Sequence, residues 1–369
     1  MRMEIKREEL QEVLASFALA GEVTGCERYG SGHINDTFRV ACQTEEGNQN
    51  YILQRMNHEI FKDPVGLMKN VSGVTGFLRE RILENGGDPN RETLNLVPTK
   101  DGEVYYKSSE GNYWRVYLFI EGATCYDAVK DPKDFYQSGK AFGHFQQLLA
   151  DYPAKELTET IPHFHDTPSR LVTFKKAIEE DVCGRTASVQ GEIQFILDRE
   201  ADMHAAMDML EAGELPLRVT HNDTKLNNIM IDDVTGEALC IIDLDTIMPG
   251  LSIFDFGDSI RFGANMAEED EKDYSKAKLS LPLFDIYAKG FLEGCAGRLT
   301  EAEKRMLPMG AKLMTLECGM RFLTDYLQGD TYFHIARPEH NLDRTRTQLG
   351  LVADMEEKWD EMAEIIEKY

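Results

Sequence analysis

The chain has 369 residues, which suits two domains or one large two-lobed one better than a single small module. Hydrophobic residues make up 42% and charged residues 28%, close to globular averages, so wholesale disorder is excluded. Asp and Glu number 65 against 40 Lys and Arg, and a formal charge of −25 repels phosphate backbones and anionic lipid, so neither nucleic acid nor membrane is an expected partner.

The opening MRMEIKREELQEVLASFALAG reads as an amphipathic helix with acids in its first turns and no secretory apolar core. Strands follow over 23–30, 33–40 and 51–56, the first two joined at Gly30-Ser31-Gly32. A helical period covers about 65–84, with Leu67, Met68, Val71, Val74, Phe77 and Leu78 on one side. Two more strands fall near 94–98 and 103–107. The run Tyr113–Ile120 (YWRVYLFI) is apolar except for Arg115, so it reads as a buried strand ended by Gly122. From about 130 the pattern turns helical, over 132–150, 170–180, 189–212, 267–293, 300–328 and 350–367. One interruption, 217–247, carries two short strands near 228–231 and 239–243 around a Thr235-Gly236 turn. The reading is α+β: a β-rich lobe, then a helical lobe with one embedded hairpin.

Seven cysteines, odd in number and widely spaced without a CxxC, argue against a disulfide framework or a zinc site and fit a reducing compartment. No apolar run approaches the ~20 residues of a membrane span. A cytoplasmic protein is expected.

The chemistry concentrates in His221-Asn222-Asp223-Thr224-Lys225-Leu226-Asn227-Asn228, followed by Ile241-Ile242-Asp243 after a hairpin-length gap. Phosphoryl transfer needs these residue types. One carboxylate must meet the acceptor hydroxyl, and an amide oxygen and a second carboxylate must hold Mg²⁺ against a triphosphate. Asp223 suits the first role, and Asn228 and Asp243 suit the second. Lys225, two residues after the base, can reach the transferring phosphoryl group. A polar turn and a capped strand would explain any one of these residues alone, but not the combination.

These residues resemble the aminoglycoside phosphotransferase and choline kinase group. The resemblance implies a protein-kinase-like bilobal fold with an antiparallel N-lobe over 1–118 and a mainly helical C-lobe over 119–369. It also implies ATP and Mg²⁺ as cofactors. Many members have Gly between the His and the Asp, where this chain has Asn222. With YGSGHIN, YILQRMN, HFHDTP and CGMRFLTDYLQGD, the chain from about 10 to 350 is similar to the N-acetylhexosamine 1-kinases, which move the γ-phosphate of ATP to the anomeric hydroxyl of GlcNAc or GalNAc. That narrower likeness implies that Arg321 and Tyr332 contact the sugar, with His33 a weaker candidate beside Asp223. The residues alone leave two readings of Arg321. It is a lone guanidinium on a face with Leu313, Leu316, Met320 and Leu323, or one rung of a solvated Glu317–Arg321–Asp325 ladder.

Gly30, Ser31 and Gly32 lie where a nucleotide loop belongs, and glycines there let backbone amides approach phosphates. No GxxxxGK[ST] exists, so a P-loop is excluded. On the third strand Gln54 stands where a kinase wants Lys, with Arg55 facing the other way. Either Mg²⁺ and the loop hold the phosphates, or Arg55 or another cation substitutes. The adenine is expected against backbone groups of Leu118 and Ile120. Asp255-Phe256-Gly257 spells Asp-Phe-Gly but comes too late to close the hairpin, so Asp255 is expected to brace the loop or cap a helix, and Asp245 to support Asp243 from the same strand face. His163, His165 and Asp166 are read as structural hydrogen bonding, and Arg337, His340, Arg344 and Arg346 as salt bridging to acids. The expected activity is hexosamine 1-phosphorylation by a monomer. The alternatives are a kinase of another small alcohol (choline, an aminoglycoside or a methylthio-sugar) and a nucleotide-binding regulator without turnover.

Overall fold

Alternating apolar residues in the first third build an antiparallel sheet from β1 (Glu22–Arg28), β2 (Asp36–Thr44), β3 (Gly47–Met56), β4 (Leu96–Val97), β5 (Tyr106–Lys107) and β6 (Tyr113–Leu118). The strand order is β1-β2-β3-β6-β4, with β5 also paired to β6. The computed structural model describes residues 5–30, 34–126, 129 and 131–369. It divides into two compact units. The first comprises residues up to Thr124 with 156–161 and 231–247, and the second comprises 125–155, 162–230 and 248–369.

Register decides which residues of the first unit share a face. Leu53 pairs Val116, and Arg55 pairs Trp114, while Gln54 pairs both Thr37 and Arg115. One face carries Phe38, Val40, Tyr51, Leu53, Trp114 and Val116, packed on Val13 and Phe17. Each such fully buried side chain contributes about 1.5–3 kcal/mol. The opposite face carries Thr37, Gln54 and Arg115. The helix Pro64–Glu84 starts where the periodicity predicts, because Asp63 accepts the amide of Gly66 and Pro64 fits the first turn. A second sheet of three strands contains Ile229–Asp232 between Ala238–Ile241 and Ala123–Thr124.

The second unit is helical. Its longest helix, Glu301–Leu327, opens with a capping box of Thr300 and Glu303. It packs on the helix Ser252–Gly263 so closely that a Cβ on Gly257 would lie 2.2 Å from the carbonyl oxygen of Gly310. Only glycines allow that approach, and it fixes Asp255 and Asp258 beneath the catalytic segment. Around the long helix gather Leu171, Phe174, Ile193, Met203, Leu316, Met320, Leu323 and Val352.

Several expected boundaries are corrected. The sheet has six strands where five were expected, two of them only two residues long. The first helix is confined to Arg7–Ser16. The 267–293 helix begins at Leu281, where Ser280 caps it and Pro282 sits in its first turn. The 189–212 helix breaks in two around Asp198–Arg199. The last helical stretch starts at His340 and is interrupted at Lys358. The helix Ser252–Gly263 was unexpected: ten of its residues are buried, among them Ser252, Asp255, Asp258 and Ser259, so its polar face meets protein and not solvent. No described helix is long and apolar enough to cross a membrane.

Candidate active site

The strand Arg218–Thr220 delivers the chain into the catalytic segment. His221 is fully buried, edge-on to Phe142 and Phe145, and its Nδ1 accepts the amide of Asp223 at 3.3 Å. Asn222 adopts φ 65°, a left-handed conformation that Asn tolerates better than other side-chain-bearing residues, and so it can stand where many relatives carry Gly. Thr224 is tied to the Ser252–Gly263 helix: its amide donates to Asp258, its hydroxyl to the Asp255 carbonyl, and its carbonyl accepts from Ser259.

This framework presents three of the anticipated side chains together. Lys225 Nζ lies 2.7 Å from Asp223 Oδ1, and Asn228 Nδ2 lies 3.1 Å from Asp223 Oδ2 and 2.8 Å from its carbonyl. Each carboxylate oxygen of Asp223 therefore has a named partner, and the group stays partly open to solvent. Burial alone would lower the Lys225 pKa, but Asp223 and Asp258 carry it above the ordinary lysine value, so the ammonium stays charged. The Asn228 NH₂ thus serves Asp223 through both its backbone and side-chain oxygens.

Asp255 braces the segment. Its carboxylate accepts the amides of His221 at 2.9 Å and Asn222 at 2.8 Å, and the side chain of Gln146 at 3.0 Å. The Asp-Phe-Gly spelling thus belongs to a buried helix.

In the first unit, Gly30 has φ 76° at the end of β1; Ser31, Gly32 and His33 lie outside the described residues. Gln54 Oε1 accepts from Arg115 Nε at 3.0 Å and Nη2 at 2.8 Å, and its Nε2 donates to Thr37. Arg55, on the other face, is held by Asp36. The amide of Leu118 donates to Asn95 and that of Phe119 to Asn50, which takes the Leu118 donor out of reach of a ligand. Ile120 follows and is buried.

Asp243 lies two residues past the strand Ala238–Ile241, at φ 59°. Asp245 is not on a strand face. It sits in a single 3₁₀ turn, Leu244–Thr246, where it accepts from Asn35 at 2.6 Å and lies 2.5 Å from Arg115. The Tyr117 hydroxyl is buried without a hydrogen-bond partner among the described residues; burial raises its pKa most, Arg115 pulls against that, and Asp245 and Asp243 raise it further. A guanidinium therefore stands beside that hydroxyl as well as two carboxylates, and the fit to a hydrated cation rests on the carboxylate of Asp243. Among the described residues no three or more His, Cys, Asp or Glu side chains cluster as a metal site. Magnesium held by one amide oxygen, one carboxylate and phosphates needs no such cluster.

Arg321 in the second unit is not on a solvated face. Its Cζ lies 5.4 Å from the ring centre of Phe164 and 5.6 Å from that of Phe333, and Nη1 is 3.6 Å from the buried Glu317. Asp325 makes no rung of a ladder. It accepts the amides of Thr331, Tyr332 and Phe333 and the side chain of Asn341, which pins the loop carrying Tyr332. The Tyr332 ring meets Phe333 edge-on at 4.8 Å and is largely exposed. His165 joins this group to the catalytic segment, Nδ1 on Glu317 at 3.1 Å and Nε2 3.5 Å from the Asn222 carbonyl. His163 bonds Asp166, and Arg337, His340, Arg344 and Arg346 pair with Asp270, Asp343, Glu269 and Glu192, as the sequence leads one to expect.

Sequence reasoning missed the part played by Arg115, although its place as the one charge in YWRVYLFI was the signal. It also missed Phe164 and Phe333 as neighbours of Arg321, while Glu317 was read as one.

The family model described as phosphotransferase enzyme family (APH) matches residues 25–285, and the chain belongs to that family. It is accordingly a member of a phosphotransferase enzyme family. Three solved structures share the fold. An aminoglycoside phosphotransferase from Alicyclobacillus acidocaldarius has a TM-score of 0.62 at 12% identity, covering 100% of this chain and 98% of its own. The Plasmodium vivax ethanolamine kinase has a TM-score of 0.56 at 16% identity, covering 88% of this chain and 82% of its own. A spectinomycin phosphotransferase in complex with ADP and spectinomycin has a TM-score of 0.51 at 14% identity, covering 100% of each chain. At these identities the likeness establishes the fold, which is the protein-kinase-like α+β fold expected from the sequence.

Proposed function

We propose that the chain transfers the γ-phosphate of ATP to the anomeric hydroxyl of N-acetylhexosamines, GlcNAc or GalNAc. In this reading the first unit takes the nucleotide, with Gly30 and its loop at the phosphates and the backbone at Ile120 near the adenine. The second unit takes the acceptor. Asp223 receives the proton of the attacking hydroxyl, held in place by Lys225 and Asn228. Lys225 shares its charge with the transferring group. Asn228 and Asp243 would offer an amide oxygen and a carboxylate to Mg²⁺, which when bound would neutralise charge on the phosphates. ATP as donor is supported by the family and by the ADP bound in the spectinomycin phosphotransferase.

One observation carries the acceptor class. The aromatic faces of Phe164 and Phe333, which could cage a cationic acceptor such as choline, are already occupied by the guanidinium of Arg321. Burial lowers the pKa of Arg170, and the charge of Arg321 lowers it further, so two guanidiniums lie close together here. A cationic acceptor would meet both. A neutral sugar would instead find a planar fork of donors for its hydroxyls and N-acetyl carbonyl, with Tyr332 adding a ring face and a hydroxyl.

The test is purified protein with Mg-ATP and a panel of GlcNAc, GalNAc, choline, ethanolamine, kanamycin and methylthioribose, read by ADP release and product mass. Phosphorylation confined to the hexosamines is expected. Turnover of choline, ethanolamine, kanamycin or methylthioribose instead, or ATP binding without any turnover, overturns the reading.

A further inference from the structure

The strand position that lacks a lysine is not short of charge nearby. Gln54 is held by a guanidinium from the adjacent strand, and Arg115 is only 1% exposed. A buried guanidinium is strongly disfavoured unless paired. Its counter-charge is Asp245, itself 3% exposed, at 2.5 Å. Burial would push the Arg115 pKa down, yet Asp245 above all, and Asp243 as well, carry it above the ordinary arginine value. Asp245 is also gripped by Asn35, just after the glycine loop. The nitrogen that meets Asp245, Nη1, also lies 3.9 Å from Met68 Sδ, so the helix Pro64–Glu84 offers a thioether at that contact and no carboxylate. Protein kinases place a strand lysine and a helix glutamate as an ion pair at this part of the fold. Here the pair is rebuilt from a different strand and from the turn after Asp243.

We propose that Arg115 is a positioning residue that, through Asp245 and with Gln54 as its hydrogen-bond partner, sets the Asp243 turn for Mg²⁺. The inference rests on the proposed nucleotide and metal roles but not on the identity of the acceptor. Asp243 stands at φ 59°, a left-handed turn conformation that aspartate tolerates better than most residues. The Arg115–Asp245 ion pair, two residues on, ties that turn to the sheet, with Asn35 on the other carboxylate oxygen. Gln54 does not point its carbonyl at phosphate. Both Nε and Nη2 of Arg115 hold it, and Thr37 engages its amide, so it orients the guanidinium and extends the network to β2.

The test reads nucleotide binding by calorimetry, with and without Mg²⁺, and needs no sugar. Outer partners of metal ligands are worth about 10- to 100-fold in metal affinity. Arg115→Met is therefore expected to weaken Mg-ATP by about that factor, while ATP in EDTA binds as in the wild type. A merely structural defect would weaken both forms alike and overturn the proposal, as would a Mg-ATP affinity equal to that of the wild type. Arg115→Met leaves Asp245 buried without its cation, so Arg115→Met/Asp245→Asn guards against failure to fold. With a melting temperature near that of the wild type, it is also expected to lose the advantage of Mg²⁺, and retaining it contradicts the claim. Gln54→Lys alone sets a second cation against Arg115 and is expected to weaken Mg-ATP. Gln54→Lys/Arg115→Met puts the charge on the opposed strand position and is expected to recover most of the Mg²⁺ dependence that Arg115→Met loses. No recovery counts against the inference. A wild type that binds ATP equally with and without Mg²⁺ removes the metal reading itself. Inactivity toward hexosamines with normal Mg-ATP binding sinks only the proposed acceptor.

Discussion

Asp255 Oδ1 accepts the backbone amide of Asn222 at 2.8 Å, so the carboxylate that spells Asp-Phe-Gly holds the catalytic segment from beneath. Its other oxygen takes the amide of His221. Asp255→Ala strands both buried amides, at about 1–3 kcal/mol for each unsatisfied group. The variant is expected to melt lower and to lose turnover. Asp255→Asn keeps an oxygen for one amide and is expected to bind Mg-ATP within a factor of about two of the wild type. A Mg-ATP affinity lost in Asp255→Asn would return that residue to the metal.

Asp223 and Asp243 are assigned separate roles. Asp223→Asn is expected to lower kcat by about 10²- to 10⁴-fold, the worth of general-base assistance, with nucleotide affinity preserved. Asp243→Asn is expected to weaken Mg-ATP itself. Titrating both variants with Mg-ATP checks this, and equal losses of affinity would contradict the division.

Arg321→Ala is expected to raise the KM for hexosamine far more than the KM for ATP. Donors matched to substrate hydroxyls discriminate strongly, since a poor substrate leaves them unpaired. Glu317 would also lose its cation, so a melting curve should accompany the kinetics. An unchanged sugar KM places the acceptor pocket elsewhere.

A pH dependence follows from Glu303, which anchors the strand leading into the catalytic segment. Its carboxylate accepts from Arg218 Nε at 2.9 Å and Nη2 at 2.7 Å, from the Thr300 amide and from the Ser252 hydroxyl. Burial alone would raise its pKa, but Arg218 and these donors outweigh it and hold it below the ordinary glutamate value of 4.5. A folded pKa that is depressed means stability present above the unfolded value and lost as pH falls through the folded one. The melting temperature is therefore expected to fall as pH drops below 4.5. Glu303→Gln should melt lower at neutral pH but show a shallower decline in acid, and an equally steep decline would remove Glu303 as a cause.

The cluster of Asp223, Lys225 and Asn228 was legible because these residues and His221 lie within one short run. Asn222 could be read as a departure from the family but not explained, since φ is invisible until the turn is built. Arg321 was legible only through resemblance. Its partners Phe164 and Phe333 come from two distant loops, and nothing in helical spacing announces an aromatic sandwich. The Arg115–Asp245 contact joins residues far apart in the chain, so periodicity could show that Arg115 was odd but not what it met. The Ser252–Gly263 helix was passed over although Ser252, Asp255, Asp258 and Ser259 share a face, and that this face is buried shows only in the structure.

The central claim is most directly tested by the position of the new phosphate. The protein is incubated with Mg-ATP and either free GlcNAc or its methyl glycoside, in which the anomeric oxygen is blocked. The account predicts a product from the free sugar alone, with its anomeric proton split by phosphorus in the NMR spectrum. Phosphorylation of the methyl glycoside, or a phosphate on any other hydroxyl of GlcNAc, would contradict it.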